Sequence, residues 1–171
     1  MDIYMPMATT ERHNLFTGTL FGSILSLLRK KEVKAFNNEG ALVYWGSQKG
    51  LHSHLVDIAD FNAECMNDLE YVQPDFILFE KNGFVQNECK TRIAGFPDLV
   101  VEVWSDSNTS QERAFKKNLY ATGTNTEHWY IEQHSNTVTC FLGEHTLPDQ
   151  CLTDELRTQR GIPFDLRYLA L

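Results

Sequence analysis

An apolar run interrupted by one carboxylate reads Phe96-Pro97-Asp98-Leu99-Val100-Val101-Glu102-Val103-Trp104-Ser105. A short apolar run that follows proline and is rich in β-branched residues predicts a buried central strand over Leu99–Trp104. Glu102 would then lie in or beside the hydrophobic core. Burying an ionised carboxylate costs several kcal/mol unless the group is paired, protonated or bound to a metal ion. The strand therefore predicts a compensating partner for Glu102.

Asp75 lies at the start of a similar strand, predicted over Phe76–Phe79 after Pro74. If the two strands are antiparallel neighbours, the start of the first stands beside the end of the second, and Asp75 approaches Glu102. Two interpretations follow with equal weight. The carboxylates could hold Mg²⁺, which takes few protein oxygen ligands and keeps water in its shell. Alternatively, Asp75 caps a turn and Glu102 pairs with a core lysine or arginine.

The N-terminal half predicts a helix followed by a hairpin. Apolar residues at helical intervals indicate an amphipathic helix over residues 11–31, with Thr9 and Thr10 as N-caps. The runs 35–36 and 41–45 flank a turn signal at residues 37–40, which predicts a β-hairpin. Between residues 46 and 67 the periodicity fails, which indicates an irregular segment.

The C-terminal half predicts a helix and a second hairpin. Capping residues at 105–110 precede a predicted helix over Gln111–Ala121, and Gly123 ends it. Strands are predicted over Glu127–Glu132 and Thr137–Leu142, joined at Ser135-Asn136. Residues 162–171 fit either an edge strand or a docking helix.

The composition bounds the class of protein. A chain of 171 residues with 42% hydrophobic residues is expected to fold as one domain, 1–171. It lacks an apolar run of about 18 residues and a secretory signal, so we expect no membrane association and a cytoplasmic location. The four cysteines form no C-x-x-C motif and indicate neither a zinc knuckle nor a disulfide framework.

The net charge of −8 disfavours a non-specific nucleic-acid coat, but the charge is uneven. Seven acidic residues and no lysine or arginine lie between positions 51 and 80. Basic residues cluster in two places where a polyanion could bind. These clusters are Arg29, Lys30, Lys31 and Lys34, and Arg113, Lys116 and Lys117.

Several segments carry a family resemblance: Met7–His13, Val72–Asp75, Phe96–Ser105, the series Glu112, Lys116 and Tyr120, and Glu127–Ile131. Together they resemble the Uma-two family of bacterial restriction-endonuclease-like proteins. That family belongs to the PD-(D/E)XK nuclease superfamily. The resemblance implies an α/β fold, with a mixed central β-sheet flanked by helices, and metal-dependent phosphodiester hydrolysis.

The resemblance implies that Asp75 and Glu102 are ligands of Mg²⁺ or Mn²⁺. The superfamily's E-x-K pattern would place lysine at position 104, where this chain has Trp104. The resemblance suggests that the catalytic lysine has moved to the following helix, as Lys116. Glu112, Lys116 and Tyr120 are four residues apart and share one helix face, although an exposed salt-bridge ladder would show the same spacing.

The function expected on this basis is a divalent-metal-dependent DNA endonuclease, with DNA as partner and a homodimer as one option for its assembly. The alternative is a catalytically inactive module of the same fold that serves in binding or as a scaffold. His13 is open between a contact to a phosphate or the metal shell and an ordinary surface position.

Overall fold

The computed structural model describes residues 11–37, 42–45, 70–80, 84–86 and 92–171. The helices are α1 (Glu11–Ser23), α2 (Leu25–Arg29) and α3 (Ser110–Ala121). Within these ranges, no helix has the length and apolar character needed to cross a bilayer.

The strands of the described ranges form three sheets. In chain order they are β1 (Lys34–Asn37), β2 (Leu42–Trp45), β3 (Glu70–Val72), β4 (Phe76–Phe79), β5 (Phe84–Gln86), β6 (Arg92–Gly95), β7 (Leu99–Trp104), β8 (Glu127–Glu132), β9 (Thr137–Leu142), β10 (His145–Thr146), β11 (Gln150–Cys151), β12 (Leu156–Arg157) and β13 (Pro163–Phe164). The largest sheet has the order β1-β4-β7-β8-β9-β10, with β11 also on β9. A second sheet has the order β3-β2-β6-β5, and β12 pairs with β13.

The largest sheet is mixed. Strands β4 and β7 are antiparallel neighbours, with Phe76 opposite Val101, as the sequence predicts. Strands β7 and β8 are parallel, with Glu102 opposite Tyr130. Parallel neighbours need a crossover connection, and α3 supplies it.

Side chains alternate between the two faces of this sheet and build two cores. One face packs Phe76, Val101 and Trp129 against Phe16 and Leu20 of α1. The opposite face packs its own apolar set, Ile77, Val100 and Tyr130, against Leu119 and Tyr120 of α3. The fold is therefore α/β, a mixed central sheet with helices on both faces, as expected.

The predicted hairpin over residues 35–45 is wrong. β1 pairs with β4 in the largest sheet, whereas β2 pairs with β3 and β6 in the second sheet. The central strand β4 offers β1 an apolar partner, since Phe36 contacts Phe79 edge-on with 6.3 Å between ring centroids. Burial against a core strand here outweighs the local turn signal. Six strands were not predicted from the sequence: β3, β5, β6, β10, β11 and β12.

The predicted helix over residues 11–31 is two helices. The backbone of Ile24 leaves the helical region, with φ −108° and ψ 14°, and α2 ends at Arg29. Ile24 is buried with Phe16 and Leu20 of α1, so its side chain stays in the core on that face of the sheet although the helix breaks there. Thr9, Thr10 and the segment 46–67 lie outside the described residues.

The C-terminal half follows the sequence prediction closely. α3 begins one residue earlier than predicted, and the bounds of β8 and β9 are the predicted ones. The hairpin between them is antiparallel. Residues 162–171, for which an edge strand and a docking helix were both open, contain one short element of each kind. These are the two-residue strand β13 and a 3-10 turn at Arg167–Leu169.

Candidate functional site

Asp75 and Glu102 converge across the β4–β7 pair. Phe76 stands opposite Val101, so Asp75 precedes β4 at the level where Glu102 lies in β7. The Asp75 carboxylate accepts a hydrogen bond from the Val103 backbone N–H at 2.7 Å. The antiparallel register therefore brings the two carboxylates to one position of the sheet.

Glu102 is 1% exposed and has two side-chain donors. The Lys116 ammonium lies 2.9 Å from one carboxylate oxygen, and the Tyr120 hydroxyl donates to the other. Burial raises the pKa of Glu102 to about 7. The charge of Lys116 and the hydrogen bond from Tyr120 oppose this rise, while the charge of Asp75 adds to it.

Lys116 is buried as well, with 5% of its surface exposed. Burial alone would lower the pKa of its ammonium, but the charges of Glu102 and Asp75 outweigh burial and raise it. Glu112 lies one helical turn earlier, 3.8 Å from the ammonium. Lys116 thus stays charged inside the protein. The interpretation of Glu112, Lys116 and Tyr120 as an exposed salt-bridge ladder is therefore wrong, because Lys116 and Tyr120 are buried.

Helix α3 is fixed at its start by a side-chain cap. The Thr109 hydroxyl accepts a hydrogen bond from the Glu112 backbone N–H. The helix then crosses the sheet face that carries Glu102, because it connects β7 to β8. Residues Lys116 and Tyr120, four apart, both point to Glu102 for this reason.

Asp75 has a second partner in His13. The His13 Nε2–H group donates to the other Asp75 oxygen at 2.8 Å, and both side chains are about nine-tenths buried. Burial alone would lower the pKa of His13, but the hydrogen bond and the charge of Asp75 outweigh burial and raise it. Asp75, Glu102, Lys116, Tyr120 and His13 thus form one buried polar cluster. His13 is part of this cluster and not a surface residue.

Trp104 occupies the position at which the E-x-K pattern has lysine. Its ring stacks on Tyr130, with 4.3 Å between centroids, and the Arg113 guanidinium lies 4.8 Å from the ring centre. Trp104 is therefore part of the core beneath α3. The cationic group beside Glu102 comes from α3 and not from β7.

The basic cluster on α3 is not a free positive face. Arg113 pairs with Glu132, and Lys116 is buried on Glu102. Lys117 is exposed and lies 4.1 Å from the centre of the Phe141 ring. Of the three cations, Lys117 is the most exposed, Arg113 is partly exposed and Lys116 is buried.

Sequence reasoning brought together Asp75, Glu102 and Lys116 but did not assign the contacts of His13 and Tyr120. Tyr120 carried a signal, because it lies four residues beyond Lys116 on the same helix face. The signal for His13 was weaker, because its contact with Asp75 joins α1 to β4 through tertiary packing. The ion pair between Glu102 and Lys116 is compatible with both interpretations of Glu102, as a metal ligand and as a structural ion-pair partner.

The oxygen donors of the cluster suit a small divalent cation. Two carboxylates with water completing the shell are a typical set for Mg²⁺. No group of three or more His, Cys, Asp or Glu side chains in the described ranges is arranged to hold a metal. An ion at Asp75 and Glu102 would therefore depend on water, and it would share oxygens that already accept hydrogen bonds.

Comparisons with known proteins agree with this architecture. A solved structure described as a putative nuclease belonging to DUF820, from Anabaena variabilis ATCC 29413, superposes with a TM-score of 0.64 at 15% identity. The match covers 100% of this chain and 87% of that one, which shows a common fold. No curated protein matches the sequence. The family Uma2, described as "Putative restriction endonuclease", matches residues 2–171. The chain therefore belongs to the Uma2 family.

Proposed function

We propose that this chain is a DNA endonuclease that depends on a divalent metal ion and hydrolyses phosphodiester bonds. The observation that carries the proposal is the buried Lys116 ammonium, which lies 2.9 Å from Glu102 in a cluster that includes Asp75. A structural core seldom holds two carboxylates, a lysine and a histidine at one place, whereas such perturbed groups concentrate at functional sites. Membership of the Uma2 family supports a nuclease.

Asp75 and Glu102 would hold Mg²⁺ or Mn²⁺, which when bound lowers the pKa of a water ligand and polarises the phosphate. Lys116 supplies a fixed positive charge that orients the attacking water and offsets negative charge on the phosphate. Tyr120 holds the Glu102 carboxylate from its other side. His13 does the same for Asp75.

The second candidate is a catalytically inactive module of the same fold. Two observations favour it: Trp104 stands at the usual lysine position, and both Asp75 and Glu102 are engaged by protein donors on each oxygen. In that case the cluster would be a buried ion-pair network.

Cleavage of supercoiled plasmid distinguishes the two candidates. The wild type should nick or linearise plasmid with Mg²⁺ or Mn²⁺ and lose activity with a chelator. Asp75→Asn and Glu102→Gln should each abolish cleavage. Glu155→Gln, which removes a surface acid paired with Arg157, is the control and should cleave normally. Plasmid left intact by the wild type with either metal would favour the inactive module.

We further propose a single domain over residues 1–171 and a cytoplasmic location, and a homodimer is one option for assembly. Light scattering of the purified chain gives its mass in solution. A monomer at all concentrations would rule out the homodimer.

A further inference from the structure

Four exposed cations lie at the corner where α2 meets β1. They are Arg29, Lys30, Lys31 and Lys34, here called the corner patch. Lys31 has φ 59° and turns the chain out of α2. Glu32 is the single acid within this stretch.

The corner patch differs from most of the other arginines and lysines in the described ranges. Ion pairs join Arg113, Lys116, Arg157, Arg160 and Arg167 to carboxylates. Arg12 donates to the Gln133 and Leu169 carbonyls. None of the corner-patch cations forms an ion pair with another described residue. In the described ranges, exposed positive charge without an ion pair is therefore densest at this corner, and Lys117, which lies over Phe141, is a further exposed lysine without one.

Register places the corner patch relative to the candidate site. Lys34 stands opposite Phe79, and β1 and β4 are neighbours. Phe79 and Asp75 are four positions apart, so Lys34 and Asp75 share one sheet face. They lie about 14 Å apart along the strand. The major groove of B-DNA is about 12 Å wide, a span close to this separation, so a duplex lying along this strand pair could place one backbone at Asp75 and the other at this corner.

We propose that the corner patch binds the phosphate backbone of duplex DNA while the strand to be cut occupies the candidate site. The inference rests on the proposed nuclease function and names the surface that the substrate contacts. The corner patch would give a chain of net charge −8 a positive surface for a polyanion, since two of the three cations of α3 are paired with carboxylates.

The test compares two double variants with the same change in net charge. Lys30→Gln/Lys34→Gln removes half of the corner patch. The matched control, Arg157→Gln/Arg167→Gln, removes two exposed cations that pair with neighbouring acids. Both are made in a Glu102→Gln background, and binding to a short mixed-sequence duplex is measured without divalent metal over a range of salt concentrations.

The corner-patch variant should bind at least about tenfold more weakly, and the slope of log affinity against log salt should fall by nearly 2, at about 0.9 per phosphate contact. The control should keep the slope of the parent. Equal losses in both variants, or no loss in the corner-patch variant, would overturn the inference.

Two further readouts separate this inference from the proposed function. If the wild type cuts plasmid while the corner-patch variant binds duplex normally, the inference fails and the nuclease stands. If the wild type neither cuts plasmid nor binds duplex, the nuclease fails as well. Binding to phosphatidylserine vesicles but not to duplex would overturn DNA as the partner and indicate a membrane surface.

Discussion

Neighbouring residues on α3 have opposite environments. Lys116 is buried against Glu102, and Lys117 is exposed over Phe141. If Lys116 acts on the phosphate or the water, Lys116→Ala should reduce the single-turnover cleavage rate about 10²–10³-fold, the usual effect of removing one preorganised donor. Lys117→Ala should change DNA affinity and its salt dependence far more than the rate.

Single-turnover cleavage at saturating DNA measures both variants, with urea unfolding as a check that each remains folded. Lys116→Arg should recover only part of the rate, because a planar guanidinium differs in shape and reach from an ammonium. Equal rate losses at positions 116 and 117 would make α3 a general phosphate-binding surface.

His128 predicts a pH dependence of stability. It is 1% exposed, accepts a hydrogen bond from the Tyr130 hydroxyl at 2.7 Å and donates one to the Gly143 carbonyl at 2.8 Å. Burial lowers its pKa to about 4. The unfolded chain, with an ordinary histidine pKa of about 6.5, takes up the proton first. The neutral, buried His128 therefore contributes its full share to the free energy of unfolding above about pH 6.5. That share is lost as the pH falls from 6.5 towards 4, because the unfolded chain binds the proton more tightly.

The measurement is the free energy of unfolding in urea between pH 4 and 7. His128→Gln should be less stable than the wild type at pH 7 and should show a flatter pH dependence near pH 5, by up to about 1.4 kcal/mol per pH unit. His145→Gln changes an exposed histidine and is the control. Parallel pH profiles for wild type and His128→Gln would contradict this assignment.

At the scale of the element, the start of α3 depends on one side chain. Thr109→Ala removes the acceptor of the Glu112 backbone N–H and should lower the free energy of unfolding by about 1 kcal/mol. Ser110→Ala, one position later, should change it by less than about half that amount, since the cap lies at Thr109. Urea unfolding compares the two variants, and equal effects would show that the cap contributes little.

Elements with strong local signals were predictable from the sequence. α3 has a capping segment before it and Gly123 after it, and β8 and β9 flank a turn at Ser135-Asn136. The strands β1 and β2 share an equally clear turn signal, yet they belong to different sheets. Their pairing depends on contacts with strands that are distant in the chain, and spacing along the chain does not contain that information.

The candidate site shows the same division. Glu102 could be identified because an acid in an apolar strand needs a partner. Lys116 and Tyr120 are local to it through the β7-α3 connection. His13 reaches Asp75 only because α1 packs on the sheet, so its contact required the tertiary structure.

At the scale of the whole molecule, a bound divalent ion should stabilise the fold. An ion at a hundredfold excess over its Kd adds about 2.7 kcal/mol, which raises the melting temperature of a chain of this size by about 5–10 °C. Thermal unfolding with Mg²⁺ or Mn²⁺ should show this shift for the wild type and not for Glu102→Gln. Matched ionic strength with K⁺ controls for screening. An equal shift in both proteins would place the ion elsewhere.

The order of elements along the chain also determines when the cluster can exist during synthesis. Phe16 and Leu20 of α1 pack against strands that the ribosome makes much later, including β7. At a translation rate of about 5–20 residues per second, β7 is synthesised on the order of ten seconds after α1. The apolar face of α1 has no sheet to cover it during that interval. Translation must pass α3 before Glu102 meets Lys116, so the growing chain carries the uncovered apolar residues of the α1 segment long before that ion pair can form.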